Sequence, residues 1–391
     1  MVALPFSKDE YRQRLRKVRD QMARRGIELL VVTDVANQYY LTAYDGWSFY
    51  TPQVVLVPIE DEEPYWLGRG IDATGGRLTV WMNPDNSVGF PDHYVQQNDR
   101  HPMDWMADWI KAKGWGSRRI GIETETYYYS PRAHEHLVRG LPNAVIVEAN
   151  LLVSWIRAVK SPAEIEYMRR AARLVEAATK VAQEIIAPGV RECDSVAAIY
   201  QAQIASQKEW AGDVTSLPPT ILAGENATAA HMLWTDRKYE KDETVATELA
   251  GACRHYTSGL ARTMHLGKPT KKLQDTTKAV LEGMDEVLAM MKPGVTGEEV
   301  ELTFRTTIAK YGLKKESRCG YSIGIGYPPD WGEHTISLRS GDKSVLEPGN
   351  VIHVMLGMWF DTWGMEVSET VLIKDKGNEC ITNFPRDVLY K

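Results

Sequence analysis

The chain of 391 residues has no Cys-x-x-Cys pair: its four cysteines, Cys193, Cys253, Cys319 and Cys380, stand far apart. That spacing excludes a zinc framework and predicts reduced thiols in a reducing compartment. A positive field is missing too. The formal net charge is -6, so nucleic acid is not an expected partner. No run approaches the ~18 apolar residues of a membrane span. The N-terminal stretch "MVALPFSKDEYRQRLRKVRD" has no apolar core suited to a signal peptide. A cytoplasmic protein that does not enter a membrane is expected. Phenylalanine is scarce, 6 against 12 Trp. Trp and Tyr join large apolar area to a hydrogen-bond donor, and they serve both cores and pockets for cations.

The remainder is ordinary for a globular protein, 43% apolar and 25% charged. This length predicts two or three domains. Tyr11, Leu15, Val18 and Met22 recur on one face across 8–25, which predicts a helix. Short β-branched runs at 27–34, 53–59, 119–123 and 144–149 predict buried strands, with helices at 102–113 and 131–139 between them. The alternation predicts an α/β domain over residues 1–155. Ser161 and Pro162, followed by acids, start a helix that Pro188-Gly189 stops. The boundary is expected within 152–161, and a second domain over 156–391.

The second domain carries an internal echo. "IIAPGVRECDSVAAI" (185–199) matches "MMKPGVTGEEVELTF" (290–304): a long helix ends at Pro-Gly-Val and an acid-started helix follows. Apolar strands come after each, at 218–223 and 243–265 in one half and 320–326 and 350–374 in the other. Two similar halves with a cleft between their sheets are expected.

Five places could reach such a cleft. His231 sits in the small-residue loop "NATAAHMLW"; alone, such a histidine is more often a plain surface or core residue. Glu248 lies in the strand "TVATELAGA", where an acid is costly unless paired, or faces solvent from a strand end. "CGYSIGIGYPPDWGEH" (319–334) offers Tyr321 and Glu333 on a glycine-rich strand. Its Gly-x-Gly has no following helix or lysine, which excludes a nucleotide loop. The hairpin 346–373 carries Met355, Glu366, Ser368 and Glu369. The aromatic loop "YLTAYDGWSFYTPQ" (40–53) holds Trp47, Phe49 and Tyr50, which serve equally for packing between domains or subunits.

In this order and spacing, the five places resemble the creatinase/aminopeptidase P/prolidase family. The resemblance spans nearly the whole chain, from "EYRQRLRKVRDQM" through "KSPAEIEYMRRAARL" and "LEPGNVI" to "ITNFPR". It implies an α/β N-terminal domain and an α+β "pita-bread" C-terminal domain with pseudo-two-fold halves. Metallopeptidases of the family hold two ions with two Asp, one His and two Glu. On those positions this sequence has Glu248, Gly259, Tyr321, Met355 and Ser368. Glycine has no donor, a thioether is soft, and neutral Tyr and Ser are poor ligands for hard ions. Two-metal hydrolysis needs several carboxylates, so no metal and no other cofactor is expected.

The resemblance places His231 on the catalytic histidine of creatinase, a metal-free member. The two creatinase acids that hold the guanidinium fall on Ala261 and Met355, which speaks against creatine. "LTAYDGWSFY", "GRGIDATGGRLTVWM" and "FPDHYVQ" resemble the ectoine hydrolase subfamily. That resemblance implies a small zwitterionic substrate, ectoine or its hydroxylated form, and a homodimer. The implied catalytic residues are Glu248 as nucleophile or anchor, His231 as acid and base, and Tyr321. Trp47, Phe49, Tyr50, Glu333, Arg339 and Glu366 are expected around the substrate. Arg262 and Arg339 are both candidates for its carboxylate, although Arg262 could simply brace the hairpin. Competing readings are a metal-free hydrolase of another cationic C–N substrate, a silent zwitterion-binding protein, and a metallopeptidase or lyase with displaced ligands.

Overall fold

A computed structural model of the chain describes residues 3–60 and 62–391. The chain divides into two compact units, one ending at Arg157 and the other beginning at Ala158.

The first unit opens with helix α1 (Lys8–Arg24), capped by the Ser7 side chain. Tyr11, Leu15, Val18 and Met22 are buried, as their helical spacing requires. Six strands follow: β1 (Leu29–Val32), β2 (Val54–Pro58), β3 (Tyr65–Arg69), β4 (Ser87–Phe90), β5 (Arg119–Ile122) and β6 (Val145–Glu148). They form one sheet in the order β4-β3-β2-β1-β5-β6. The β1–β2 and β2–β3 pairs are antiparallel, and the others are parallel. Helices α2 (Val35–Thr42), α3 (Gly70–Thr79), α4 (Pro102–Ala112), α5 (Pro131–Gly140) and α6 (Leu152–Arg157) complete the unit. Elements α2, α3, β3 and β4 carry no clear periodicity in the sequence. Every residue of α2 is buried, so it has no amphipathic stripe, and α3 is rich in glycine.

In the second unit α7 (Pro162–Ile185) starts with a capping box: Ser161 Oγ accepts from Glu164 N–H, and the Glu164 carboxylate accepts from Ser161 N–H. Helices α8 (Glu192–Ala205), α9 (Lys271–Met290) and α10 (Gly297–Ala309) follow in chain order. The strands are β7 (Thr220–Ala223), β8 (Thr244–Cys253), β9 (Tyr256–His265), β10 (Gly320–Tyr327), β11 (Asp330–Ser337), β12 (Val351–Trp359), β13 (Gly364–Ile373), β14 (Asn378–Cys380) and β15 (Leu389–Tyr390).

The internal echo is visible in the backbone. Gly189 and Gly294 lie in the turns that follow α7 and α9, at φ +89° and +91°, a conformation glycine adopts without steric cost. Each is followed by a matching bridge, Arg191 to Lys238 and Thr296 to Val345. The β8–β9 hairpin of one half corresponds to the β12–β13 hairpin of the other.

The strands of the two halves are joined rather than separate. One sheet runs β14-β13-β12-β10-β9-β8-β7, with β11 on β10 and β15 on β9. The halves meet where Tyr256 pairs with Ile325. This sheet curls until β9 and β13, which are not neighbours in it, touch through three hydroxyls. Thr263 Oγ1 donates to Glu366 O and accepts from Glu366 N–H, both at 2.8 Å. Ser368 Oγ accepts from Ala261 N–H at 2.6 Å. Thr370 Oγ1 accepts from Gly259 N–H at 3.0 Å and donates to Gly259 O at 2.9 Å.

Candidate active site

The inside of the curl carries two buried carboxylates. Glu248 on β8 pairs with Ala261 on β9, and Glu366 on β13 pairs with Gly357 on β12. Paired residues of antiparallel strands share a face. Each carboxylate keeps one oxygen, Oε1, buried and without a hydrogen-bond partner. Burial raises the proton affinity of both, and the neighbouring charge of Glu366 raises that of Glu248 further. Two close carboxylates in a dry site cannot both ionise cheaply, so the pair retains a proton into the neutral range. Lys315 moderates this. Its ammonium is buried, donates to Gly357 O at 2.7 Å and Ser317 Oγ at 2.8 Å, and lowers the proton affinity of Glu366.

A histidine lies beside them. His353 is fully buried, with Nε2 at 2.7 Å from Ser368 Oγ. Ser368 Oγ accepts from Ala261 N–H and keeps a proton that it can donate to His353 Nε2. The other ring nitrogen, Nδ1, is buried with no partner among the described residues. Burial pushes the imidazole down to about 3, so it is neutral. The ring stands where glycine makes room: a Cβ on Gly259 would come within 3.0 Å of His353 Cε1 and 3.1 Å of Nε2.

Tyr321 pairs with His353 across β10 and β12. Its hydroxyl accepts from Trp331 Nε1 at 2.6 Å, which leaves the phenolic proton to donate elsewhere. Burial, followed by the charge of Glu248, raises its proton affinity, so it stays neutral. The Arg318 guanidinium stacks 3.9 Å above the Tyr321 ring.

The expected site residues fall in different places. Glu248, Tyr321 and Glu366 are brought together. Glu333 is buried in an ion pair with Lys160 Nζ at 2.6 Å. His231 and Arg339 are exposed on loops. Arg262 braces the fold: its guanidinium donates to Glu369, to the carbonyls of Ala261 and Ser368, and to those of Phe384 and Pro385. In the first unit Trp47 and Tyr50 are exposed, whereas Phe49 is buried with its ring edge-on to Trp47. His353, Trp331, Lys315 and Arg318 were not foreseen. The histidine had a signal, a polar residue in the otherwise apolar run "VIHVML".

Residues 166–375 match the metallopeptidase family M24, and residues 14–159 match the creatinase/prolidase N-terminal domain. The chain belongs to family M24. It is 43% identical to an ectoine hydrolase of Halomonas elongata, over all of this chain and 99% of that protein. It is 39% identical to an uncharacterized hydrolase/peptidase of Sinorhizobium fredii, over the whole of both. The prolidase of Pyrococcus horikoshii superposes with a TM-score of 0.80 at 20% identity, covering 96% of this chain and all of that one. A Xaa-Pro dipeptidase of Bacillus anthracis gives 0.80 at 21% identity, covering 97% of this chain and all of that one. The fold is the pita-bread fold, and this M24 chain is a hydrolase.

The family name implies metal ions, and the residues here do not fit them. Glu248 is the one anion at the five positions that the family resemblance implies for the ligands. The neutral His353 ring, bonded to Ser368, crowds the space at Gly259 where a further carboxylate would stand. Hard divalent ions need several oxygen anions, and this donor set does not supply them.

Proposed function

We propose that this M24 hydrolase opens the cyclic amidine ring of ectoine to N-acetyl-2,4-diaminobutyrate, or that of hydroxylated ectoine to the hydroxylated product, without a metal ion. One observation carries the reading: two buried carboxylates, Glu248 and Glu366, each keep an unpartnered oxygen in a site whose metal-ligand positions are otherwise neutral. An amidinium is a planar delocalised cation with two N–H donors. Carboxylate oxygens bind such a group with charge-assisted hydrogen bonds. Its charge replaces what the missing ions would have supplied. The similarity to the Halomonas elongata enzyme supports the same substrate.

In this mechanism water adds at the amidine carbon, one ring C–N bond breaks, and the freed nitrogen leaves as an amine. No electrons change hands. Glu248 attacks the carbon or orients the attack; a carboxylate is a competent covalent nucleophile. His231 serves as acid and base from its loop, by resemblance, and the proton retained by the carboxylate pair offers a second source: as Glu248 ionises against the amidinium, that proton passes to Glu366. Tyr321, a neutral donor, stabilises negative charge developing at the reacting centre. The resemblance assigns Trp47, Phe49 and Tyr50 as aromatic faces for the cation, and Glu333 and Arg339 as further substrate-binding residues. The reading takes the enzyme as a cytoplasmic homodimer.

Incubation with ectoine and with creatine, followed by chromatography, tests it. Formation of N-acetyl-2,4-diaminobutyrate from ectoine, undiminished by a chelator, is expected. Turnover of creatine alone, or turnover that needs added divalent ions, defeats the reading. His231→Ala and Glu366→Gln separate the two proton sources, because the true one loses ~10²–10⁴-fold in rate.

A further inference from the structure

We infer that Arg318, rather than Arg262 or Arg339, anchors the carboxylate of a zwitterionic substrate whose cationic end lies against Glu248. The inference rests on the function proposed above and specifies which end of the substrate goes where.

Three observations lead to Arg318. First, its guanidinium is unclaimed: among the described residues no hydrogen bond or ion pair engages it, although most arginines of the second unit are so engaged. Second, it is held in place without being neutralised. The guanidinium carbon sits 3.9 Å above the centre of the Tyr321 ring, and a cation–π contact uses none of its N–H donors, which stay available for a planar bidentate partner. Third, it belongs to the site electrically. Its charge acts on Glu248, Tyr321 and His353 together. The other two arginines lack one of these properties. All the bonds of Arg262 go to Glu369 and to backbone carbonyls, and Arg339 is an exposed loop residue with no recorded link to Glu248 or Tyr321.

The charges then map onto a zwitterion. Glu248 and Glu366 provide the anionic end, and Arg318 provides the cationic end beside the Tyr321 ring. A cyclic amidine with a carboxylate on the neighbouring ring carbon places its two charges within a few atoms of each other. An uncharged or purely cationic amidine would leave Arg318 without a partner.

The test uses two compounds, ectoine and the same tetrahydropyrimidine without its carboxylate, and three proteins, wild type, Arg318→Met and Arg318→Lys. Methionine keeps apolar contact with Tyr321, and Arg318 is exposed, so folding is preserved. Calorimetric binding is measured separately from turnover. The wild type is expected to bind ectoine ~10–100-fold more tightly than Arg318→Met, the range of a lost charge-assisted pair. Arg318→Lys falls between, and the decarboxylated compound binds all three within about threefold. The loss appears in KM more than in kcat, because the contact is remote from the reacting carbon. Equal losses for both compounds overturn the inference and make Arg318 a support for Tyr321. Turnover of ectoine with Arg318-independent binding overturns the anchor alone. Arg318-dependent binding with no turnover keeps the anchor and overturns the hydrolase reading.

Discussion

Glu366 raises the proton affinity of Glu248 across the inside of the curled sheet. This has a sign that can be measured. In the unfolded chain both carboxyls titrate near 4.5, whereas in the fold burial moves Glu366 to about 7 and moves Glu248 up as well. Between those values the folded chain holds more protons than the unfolded one. Stability from this pair is therefore complete below pH 4.5; the share of Glu366 is lost as pH rises through about 7, and that of Glu248 as pH rises through its own raised value. Glu123, raised to about 8 in the first unit, acts in the same direction, so a variant is needed to isolate the pair. Urea midpoints at pH 5 and pH 8 should fall more for the wild type than for Glu366→Gln. Equal falls would show that Glu366 does not titrate in this window.

Removing the charge at Glu248 separates activity from stability. Glu248→Gln keeps the shape and abolishes a buried, partly unpaired carboxylate. Turnover should drop by at least ~10²-fold. The unfolding temperature should hold or rise by about 2–4 °C, the shift expected of ~1 kcal/mol in a unit of this size. A variant that loses stability together with activity would mark Glu248 as structural.

Gly259 tests the metal question from the other side. A side chain there meets His353 at 3.0 Å and the Trp331 ring at 3.2 Å. Gly259→Ala and Gly259→Asp should each destabilise by ~1–3 kcal/mol, the usual cost of overpacking. Gly259→Asp should not acquire stoichiometric metal. Metal analysis of that variant finding two tight ions per chain would contradict the donor argument.

Arg262 should behave as part of the frame. It is fully buried against Glu369 with an N–O distance of 2.8 Å, and Arg386 shares the same carboxylate at 2.9 Å. Arg262→Met leaves Glu369 buried with one cation fewer, a loss of roughly 3–5 kcal/mol. Denaturant titration reads this directly. A stable variant with impaired turnover would restore Arg262 as a substrate contact.

Much of the frame was legible because its elements are local. The Ser161 cap, the α1 stripe and the two Pro-Gly-Val turns are written in adjacent residues. Glu248 was legible because an acid in an apolar strand is expensive, whereas Glu366 was legible only as one polar position of the hairpin 346–373. The site's other members were hidden by topology. His353 reaches Gly259 only because the sheet curls β13 against β9, a contact between residues 94 positions apart that no periodicity encodes. Arg318 looks like any loop arginine until Tyr321 is placed beneath it. The α2 helix went unseen because it is buried on all sides.

The space at Gly259 also bears on metal binding. With His353 filling it and Ser368 tied to that ring, a carboxylate placed at position 259 meets a clash before it meets a metal. On the proposed reading, metal chemistry would need new donors at Gly259, Tyr321, Met355 and Ser368 as well as room yielded by His353. The imidazole thus works as a lock on the proposed site: no single substitution at Gly259 both admits a carboxylate and completes a donor set.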